Sequence, residues 1–124
     1  MKAINAADAP KAVGPYSHGY TVGNLVITSG QLPAYADGKP FAQTIEEQAE
    51  QSCANVKIVL EVAGTDFAHV VKTTCFLSDM NNFAAFNEVY AKYFSSKPAR
   101  SCVAVKTLPG NALCEIEAIA EIPE

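Results

Sequence analysis

The sequence predicts an α+β fold in which two amphipathic helices cover one face of one mixed β-sheet. Two stretches repeat their apolar residues every three or four positions, as a helix with one buried side does. A third, Cys114 to Ile122, alternates apolar and polar residues, the pattern of a strand lying on a core. Around these, β-rich segments fall in the order ββ-α-β-α-ββ, which gives one layer of strands and one of helices.

The first strands are Gly19-Tyr20-Thr21-Val22 and Leu25-Val26-Ile27-Thr28-Ser29, joined through Gly23-Asn24, a tight hairpin turn. Gly30 ends the second strand, and Leu32 to Phe41, with Pro33, Gly38 and Pro40, reads as loop. The first helix starts at Thr44, where Thr44-x-x-Glu47 makes a capping box. Ala49, Cys53, Val56, Leu60 and Ala63 form its apolar stripe, and Gly64 closes it. Val70 to Leu77 is a strand by its β-branched content. The second helix runs from about Asn82 to Phe94, capped by Asp79 or Asn81, with Phe83, Phe86, Tyr90 and Phe94 on its buried side. A short strand over Ser101 to Val105 and a turn over Lys106 to Ala112 precede the alternating strand.

Leu25-Val26-Ile27 and Cys75-Phe76-Leu77 are apolar on both faces of their strands. Two helices can cover only one face, so the other is expected to meet another copy of the chain.

With 124 residues, 49% hydrophobic and 18% charged, the chain is expected to fold as one domain, residues 1–124. Nine basic and thirteen acidic residues give a net charge of −4, with the basic residues scattered. Phosphate backbones need a basic patch, so nucleic acid is not the expected partner. No apolar run reaches the ~20 residues of a membrane span, and residues 1–8 lack the apolar core of a signal peptide; the expected setting is cytoplasmic, with no membrane partner. Cys53, Cys75, Cys102 and Cys114 are widely spaced in apolar segments, as buried thiols are. With only His18 and His69 beside them, no metal-ligand spacing is recognisable.

Arg100 is the only arginine against eight lysines, and it lies where a loop enters an apolar strand. A guanidinium grips a carboxylate bidentately, which an ammonium does not; the bland alternative is a snorkelling or ion-paired side chain. Glu117 sits among Ile116, Ala118, Ile119 and Ala120, either solvated on a polar sheet face or held in a pocket where it relays protons. Gly14-Pro15-Tyr16-Ser17-His18-Gly19 is turn chemistry in which Tyr16 either packs or stands at a pocket mouth with His18. Thr28-Ser29-Gly30-Gln31 offers a hydroxyl and close backbone approach to a small ligand, or is a plain strand exit. Cys102 has no histidine near it in sequence and reads as a buried thiol rather than a nucleophile.

Five segments, Gly14-Pro15-Tyr16-Ser17, Ile27-Thr28-Ser29-Gly30-Gln31, Val71-Lys72-Thr73-Thr74, Pro98-Ala99-Arg100-Ser101-Cys102-Val103 and Glu115-Ile116-Glu117-Ala118-Ile119-Ala120, spread over most of the chain. Together they resemble the Rid family of RidA/YjgF-type reactive-imine deaminases, also called the endoribonuclease L-PSP family. The resemblance implies a chorismate-mutase-like subunit, a homotrimer with one site in each cleft between subunits, and no cofactor or metal. The implied reaction is hydrolysis of small enamines and imines, such as 2-aminoacrylate and 2-aminocrotonate, to 2-keto acids and ammonia. It also implies a functional link to pyridoxal-phosphate dehydratases, which release these intermediates. By position, Arg100 matches the carboxylate-binding arginine and Glu117 the glutamate that holds the attacking water. Tyr16, Ser29, Gly30, Asn87 and Cys102 match pocket-lining positions, Cys102 through its backbone.

Two departures bear on the site. Only Ser95-Ser96-Lys97 joins Phe94 to Pro98, shorter than in many relatives, and Lys97 stands where an aromatic is common. His18 replaces an uncharged polar residue and is expected to add pH dependence at the cleft mouth. Two other readings compete: a ribonuclease or translation inhibitor, which would want a general acid and base pair, and a non-catalytic chaperone or small-ligand sensor.

Overall fold

The computed structural model describes residues 1–124. Six strands form one sheet: β1 (Lys2–Ile4), β2 (Gly19–Val22), β3 (Leu25–Thr28), β4 (Val70–Leu77), β5 (Ala99–Ala104) and β6 (Cys114–Glu121). Their spatial order is β1-β2-β3-β6-β4-β5, with β4 and β5 parallel and every other pair antiparallel. Helices α1 (Ile45–Ala63) and α2 (Phe83–Tyr93) pack on one face of this mixed sheet, as the sequence pattern predicts.

Both ends of α1 follow the sequence signals. The Thr44 hydroxyl oxygen accepts from the Glu47 N–H at 3.2 Å and its proton goes to the Glu47 carboxylate at 3.0 Å. Gly64 takes a left-handed φ of 88°. That lets its N–H reach the Glu61 carbonyl and the Thr65 N–H reach Leu60, closing the carbonyls of the last turn. Ala49, Cys53, Val56 and Leu60 are fully buried, while Ala63 is only partly covered.

The stripe omits three polar residues that the fold also buries on α1: Gln48, Ser52 and Asn55. Each has a partner. Gln48 donates to the Ala42 carbonyl and accepts from the Leu113 N–H, and Asn55 donates to the carbonyls of Leu32 and Ala34. These bonds fix the 32–43 loop against the helix, which satisfies its backbone without a strand.

A 3-10 turn over Met80–Asn82 leads into α2; Asp79 caps that turn by accepting from the Asn81 N–H at 2.8 Å, while α2 itself starts from Asn82 with no side-chain cap, so neither Asp79 nor Asn81 caps the helix directly. Phe86, Tyr90 and Phe94 are buried; Tyr90 stacks on Phe94 with centroids 4.3 Å apart. Phe83 is only partly buried, because it leans toward the sheet edge instead. Lys92 and Tyr93 both bond the Glu50 carboxylate, clipping α2 to α1.

Three boundaries differ from expectation. The pairing of Lys2–Ile4 with β2 gives no signal in three residues; the edge is made by the hairpin beside it. β3 stops at Thr28, and Ser29 turns away. β5 starts at Ala99, two residues early, so Arg100 lies inside a strand and not at its entrance. β5 is an edge strand and mostly exposed.

No helix covers the other face of the sheet, and the loops over residues 10–18 and 30–34 wall its Glu115 end. Ile27, 43% exposed, Val103, 47% exposed, Tyr20, Phe76 and Ile119 share that face with Thr74, Ser101, Glu115 and Glu117. This follows from the pleat: Cys114, Ile116, Ala118 and Ala120 go under the helices, so the residues between them point the other way. All four cysteines are free thiols, three of them buried. No helix is long and apolar enough to cross a membrane.

Phe86 is the largest fully buried side chain of the core. Phe86→Ala is expected to cost about 3–5 kcal/mol, read as a lower denaturant midpoint at unchanged slope.

Candidate active site

Arg100 is held by a single face of α2. In the parallel ladder it lies beside Thr73, which is fully buried under the helices, so the Arg100 side chain emerges on the helix side at the sheet edge. Phe83, Asn87 and Tyr90 meet it there at helical steps of four and three. One guanidinium N–H donates to the Asn87 Oδ1 at 2.8 Å. The guanidinium carbon lies 4.7 Å from the Tyr90 ring centroid and 5.5 Å from that of Phe83. Tyr90 is itself fixed, since its hydroxyl shares a buried 2.7 Å hydrogen bond with Thr73.

No carboxylate pairs with Arg100; the ion pairs of the chain are Asp66–His69 and Glu50–Lys92. The reading of Arg100 as an ion-paired side chain therefore fails. Asn87, Tyr90, Ser95, Lys97 and Arg100 line a cavity of about 430 Å³ with no acidic residue in its wall. The short loop there is tied by Ser96, whose hydroxyl donates to the Val70 carbonyl at 2.7 Å, and Lys97 adopts a φ of 50°.

Cys102, two residues on, points the same way as Arg100 beside Cys75. Burial pushes the Cys102 thiol up, and Arg100 only partly offsets it. A neutral thiol is a poor nucleophile, although Cys102 is only partly buried, unlike the other three cysteines and unlike the buried thiol expected from sequence, because it lies on the edge strand.

Glu117 belongs to the opposite face. It lies across from Thr74 in β4, and Thr74 lies beside Ser101 in β5, so these three share the helix-free side. Glu115, Glu117, Tyr16, Gly30, Gln31 and Phe76 contribute to the wall of a cavity of about 620 Å³. Glu115 and Glu117 make no hydrogen bond or ion pair through their side chains. Burial, then repulsion from Glu117, pushes the Glu115 carboxyl above its ordinary range. Glu115 joins Glu117 as a candidate here, although the residue pattern alone does not separate the two; its only signal in the sequence is the two-residue step to Glu117.

The other expected residues divide. Tyr16 is half exposed at the rim of that cavity, its hydroxyl accepting from the Val13 N–H at 3.4 Å. Gly30 lines it by lacking a side chain. Ser29 turns inward: its hydroxyl donates to the Ser17 carbonyl at 2.6 Å and its N–H bonds the His18 carbonyl, which pins the 14–18 segment.

The expected role of His18 at the cleft mouth is corrected by its bonding. The ring is buried, Nδ1 accepts from the Ala6 N–H and Nε2 donates to the Pro10 carbonyl, both at 2.9 Å. A carbonyl can only accept, so the proton sits on Nε2 and both nitrogens are occupied in anchoring the N-terminal segment. His69 instead pairs with Asp66 at 2.7 Å, and the two imidazoles share no cavity.

Within one chain, then, Arg100 and Glu117 are separated by the sheet itself and open into different cavities. Any ligand touching both must lie between two copies.

Comparison with known proteins agrees with this architecture. Residues 6–122 match the family described as Endoribonuclease L-PSP. The chain is 45% identical over 123 residues to the 2-iminobutanoate/2-iminopropanoate deaminase of Salmonella typhimurium, covering 96% of each. It is 50% identical over 113 residues to Protein HMF1 of Saccharomyces cerevisiae, covering 90% of this chain and 88% of that one. Among solved structures, Escherichia coli TdcF with bound serine superposes with a TM-score of 0.93 at 40% identity, covering 98% of both chains. On sequence and fold alike, this chain belongs to the Rid family, the YjgF and endoribonuclease L-PSP proteins.

Proposed function

We propose that the protein hydrolyses small 2-imino and 2-enamino acids, of the 2-aminoacrylate and 2-aminocrotonate type, to 2-keto acids and ammonia. The sites lie between copies of a cytoplasmic homotrimer, with residues 1–124 of each copy acting as one Rid-type domain. One observation carries this reading: a guanidinium with no counter-ion is fixed on one face of the sheet, while unpaired carboxylates line a cavity on the other. Two copies meeting through the helix-free face would bring these halves together and cover Ile27 and Val103. The name of the Salmonella relative supports the reaction, and the serine bound to TdcF supports a ligand of this size.

The chemistry suits the residues. With one N–H turned to Asn87, the guanidinium keeps its remaining donors for a planar carboxylate, which two parallel hydrogen bonds hold in one orientation. That orientation sets the imine carbon toward Glu117 of the neighbouring subunit, where the carboxylate holds water and takes its proton as the C–O bond forms. Tyr16, Ser29, Gly30, Asn87 and Cys102 line or brace this cleft, Ser29 by pinning the Tyr16 segment. Enamine substrates become imines by a proton shift that proceeds in water, so the barrier left to the protein is modest. Dehydratases that use pyridoxal phosphate release such molecules and are the functional partners. No cofactor takes part in these steps. The ribonuclease reading would need two converging acid–base groups on phosphate, and the two imidazoles are engaged elsewhere.

The assay follows 2-keto acid from 2-aminoacrylate made in situ by a dehydratase. Arg100→Lys is expected to lower kcat/KM about 10–100-fold, chiefly through KM, because a point charge replaces a fork. Unchanged kinetics would refute the role of Arg100, and keto-acid binding without any turnover in the parent protein would establish a sensor instead.

Site composition has its own test. Arg100→Ala and Glu117→Gln, each nearly inactive alone, are unfolded together and reassembled as mixed trimers. Activity is expected to recover to about a quarter of the parent value, since about three in four of the reassembled trimers are mixed and every mixed trimer holds one intact site in three. No recovery, with mixed trimers verified by mass, would rule out sites shared between subunits.

A further inference from the structure

Resting on the deaminase reading, we propose that Lys97 determines specificity by receiving a second carboxylate, so that the preferred substrates are imines of acidic amino acids, 2-iminosuccinate and 2-iminoglutarate. Lys97 and Arg100 are three residues apart and line the same cavity of about 430 Å³. Pockets of about 300–1,000 Å³ hold ligands much larger than a three-carbon acid. Arg100 takes one carboxylate, and the same wall also holds Ser95, Lys97 and Pro98. No acidic residue enters it, in a chain whose net charge is −4. Two cations without a counter-ion, gathered in a protein of opposite sign, fit a ligand that carries two negative charges.

Lys97 differs from the lysines whose partners are plain. Lys92 pairs with Glu50, Lys39 lies 4.3 Å from the centroid of the Tyr35 ring, and Lys72 donates to the Ser101 hydroxyl at 3.4 Å. Lys97 takes part in no ion pair. Its backbone is unusual too. With a φ of 50°, Lys97 stands in the left-handed region, where glycine is the unstrained choice. The only other side-chain-bearing residue with positive φ is Asn111, a type that tolerates it.

The turn that holds Lys97 is fixed on both sides. Its N–H bonds the Phe94 carbonyl at 3.1 Å, the Ser96 hydroxyl donates to Val70, and Pro98 follows directly. The ammonium is thus carried by a short, tied turn and not by a free loop. A strained residue held in a fixed turn beside a cavity points to a use for its side chain.

A second carboxylate on the substrate needs a place away from the acids. In the proposed cleft, Glu115 and Glu117 of the neighbouring subunit face the imine carbon and repel it. Rotation about the bonds beyond that carbon turns it to the basic half, where Lys97 stands. An ammonium suits this task. Its long stem and three rotatable donors meet carboxylates one or two carbons further on, while the fork of Arg100 fixes the one beside the imine. A monocarboxylate leaves Lys97 in water and gains nothing from it. The reaction itself is unchanged: 2-iminosuccinate and water give oxaloacetate and ammonia. Lys97 is exposed, so its attraction is screened by salt and the gain is modest.

Binding is measured by calorimetry on the assembled parent protein with 2-oxoglutarate and 2-oxopentanoate. These acids differ only in whether the last carbon is a carboxylate or a methyl. 2-Oxoglutarate is expected to bind about 5–10-fold tighter at low ionic strength, with the ratio shrinking as salt rises. In Lys97→Met the ratio is expected to fall to one or below. Equal affinities in the parent, a ratio that survives in Lys97→Met, or no binding of either acid overturns the proposal. Lys97→Gly relieves the backbone, so it should lose the preference while keeping or raising the thermal midpoint. A lowered midpoint with the preference intact means that the lysine serves the fold, which also overturns it.

Turnover separates this proposal from the reading beneath it. Flavin-dependent oxidases make 2-iminoglutarate and 2-iminopentanoate in situ from the matching amino acids. In Lys97→Met, kcat/KM for 2-iminoglutarate relative to 2-iminopentanoate is expected to fall about 5–10-fold, carried by KM with kcat within about twofold. An unaltered ratio overturns the role of Lys97 and leaves the deaminase reading standing. A parent inert toward every imine removes the deaminase reading and this one with it, even where the binding preference holds.

Discussion

The rest of the molecule is arranged around a positive charge that lacks a negative one. Arg100 has no carboxylate beside it, yet its guanidinium does not wander, because Asn87 takes one N–H and Tyr90 lies beneath it. A ring under a cation contributes about 0.5–2 kcal/mol and fixes a plane without neutralising the charge. An ion pair would have been the simpler way to hold an arginine. It would also have consumed the donors. Holding it with an amide oxygen and an aromatic face leaves the charge for a ligand, and that choice makes demands on everything behind it. Tyr90 needs its hydroxyl satisfied in the core, which Thr73 does. Thr73 must then face the helices, and the pleat of β4 sends Thr74 and its neighbour Glu117 to the other side.

This is why the sheet separates cation from acid. Residues beside each other in a ladder share a face, so an arginine aligned with Thr73 and a glutamate aligned with Thr74 are on opposite faces by construction. A shift of β6 by one residue would reverse this, but it would also drive Cys114, Ile116, Ala118 and Ala120 out of the core. The burial of that strand therefore fixes the assembly problem along with the register. In the proposed assembly the apolar helix-free face has a part in the same solution, as the surface through which copies would meet.

The acidic half depends on loops as much as on the sheet. Gln48 and Asn55 reach from the buried face of α1 to hold residues 32–43, and His18 and Ser29 hold the segment that carries Tyr16. These are polar groups in or near the core, each matched to backbone donors or acceptors that would otherwise be buried unpaired. They keep the cavity wall in place while Glu115 and Glu117 stay unbonded. Leaving carboxyls half-buried without partners lowers stability, a common feature of sites that move protons.

Much of this was readable in the residues. The periodicity of α1 and α2, the Thr44 and Gly64 caps and the alternation of β6 are local matters of spacing and side-chain size, and those alone determine the element order and the helix-covered face. The lone arginine and the two-sided strands at Ile27 and Phe76 carry the expectations of a ligand and of a partner copy, on which the proposed function rests. Tertiary structure decided the rest, because it depends on partners distant in the chain. Whether His18 stands at the cleft mouth or anchors the N-terminal segment rests on Ala6 and Pro10. Whether Glu115 is solvated rests on the missing Cβ of Gly30. Which side of the sheet Arg100 leaves from rests on its alignment with Thr73, a parallel pairing across a helical crossover that no local pattern encodes.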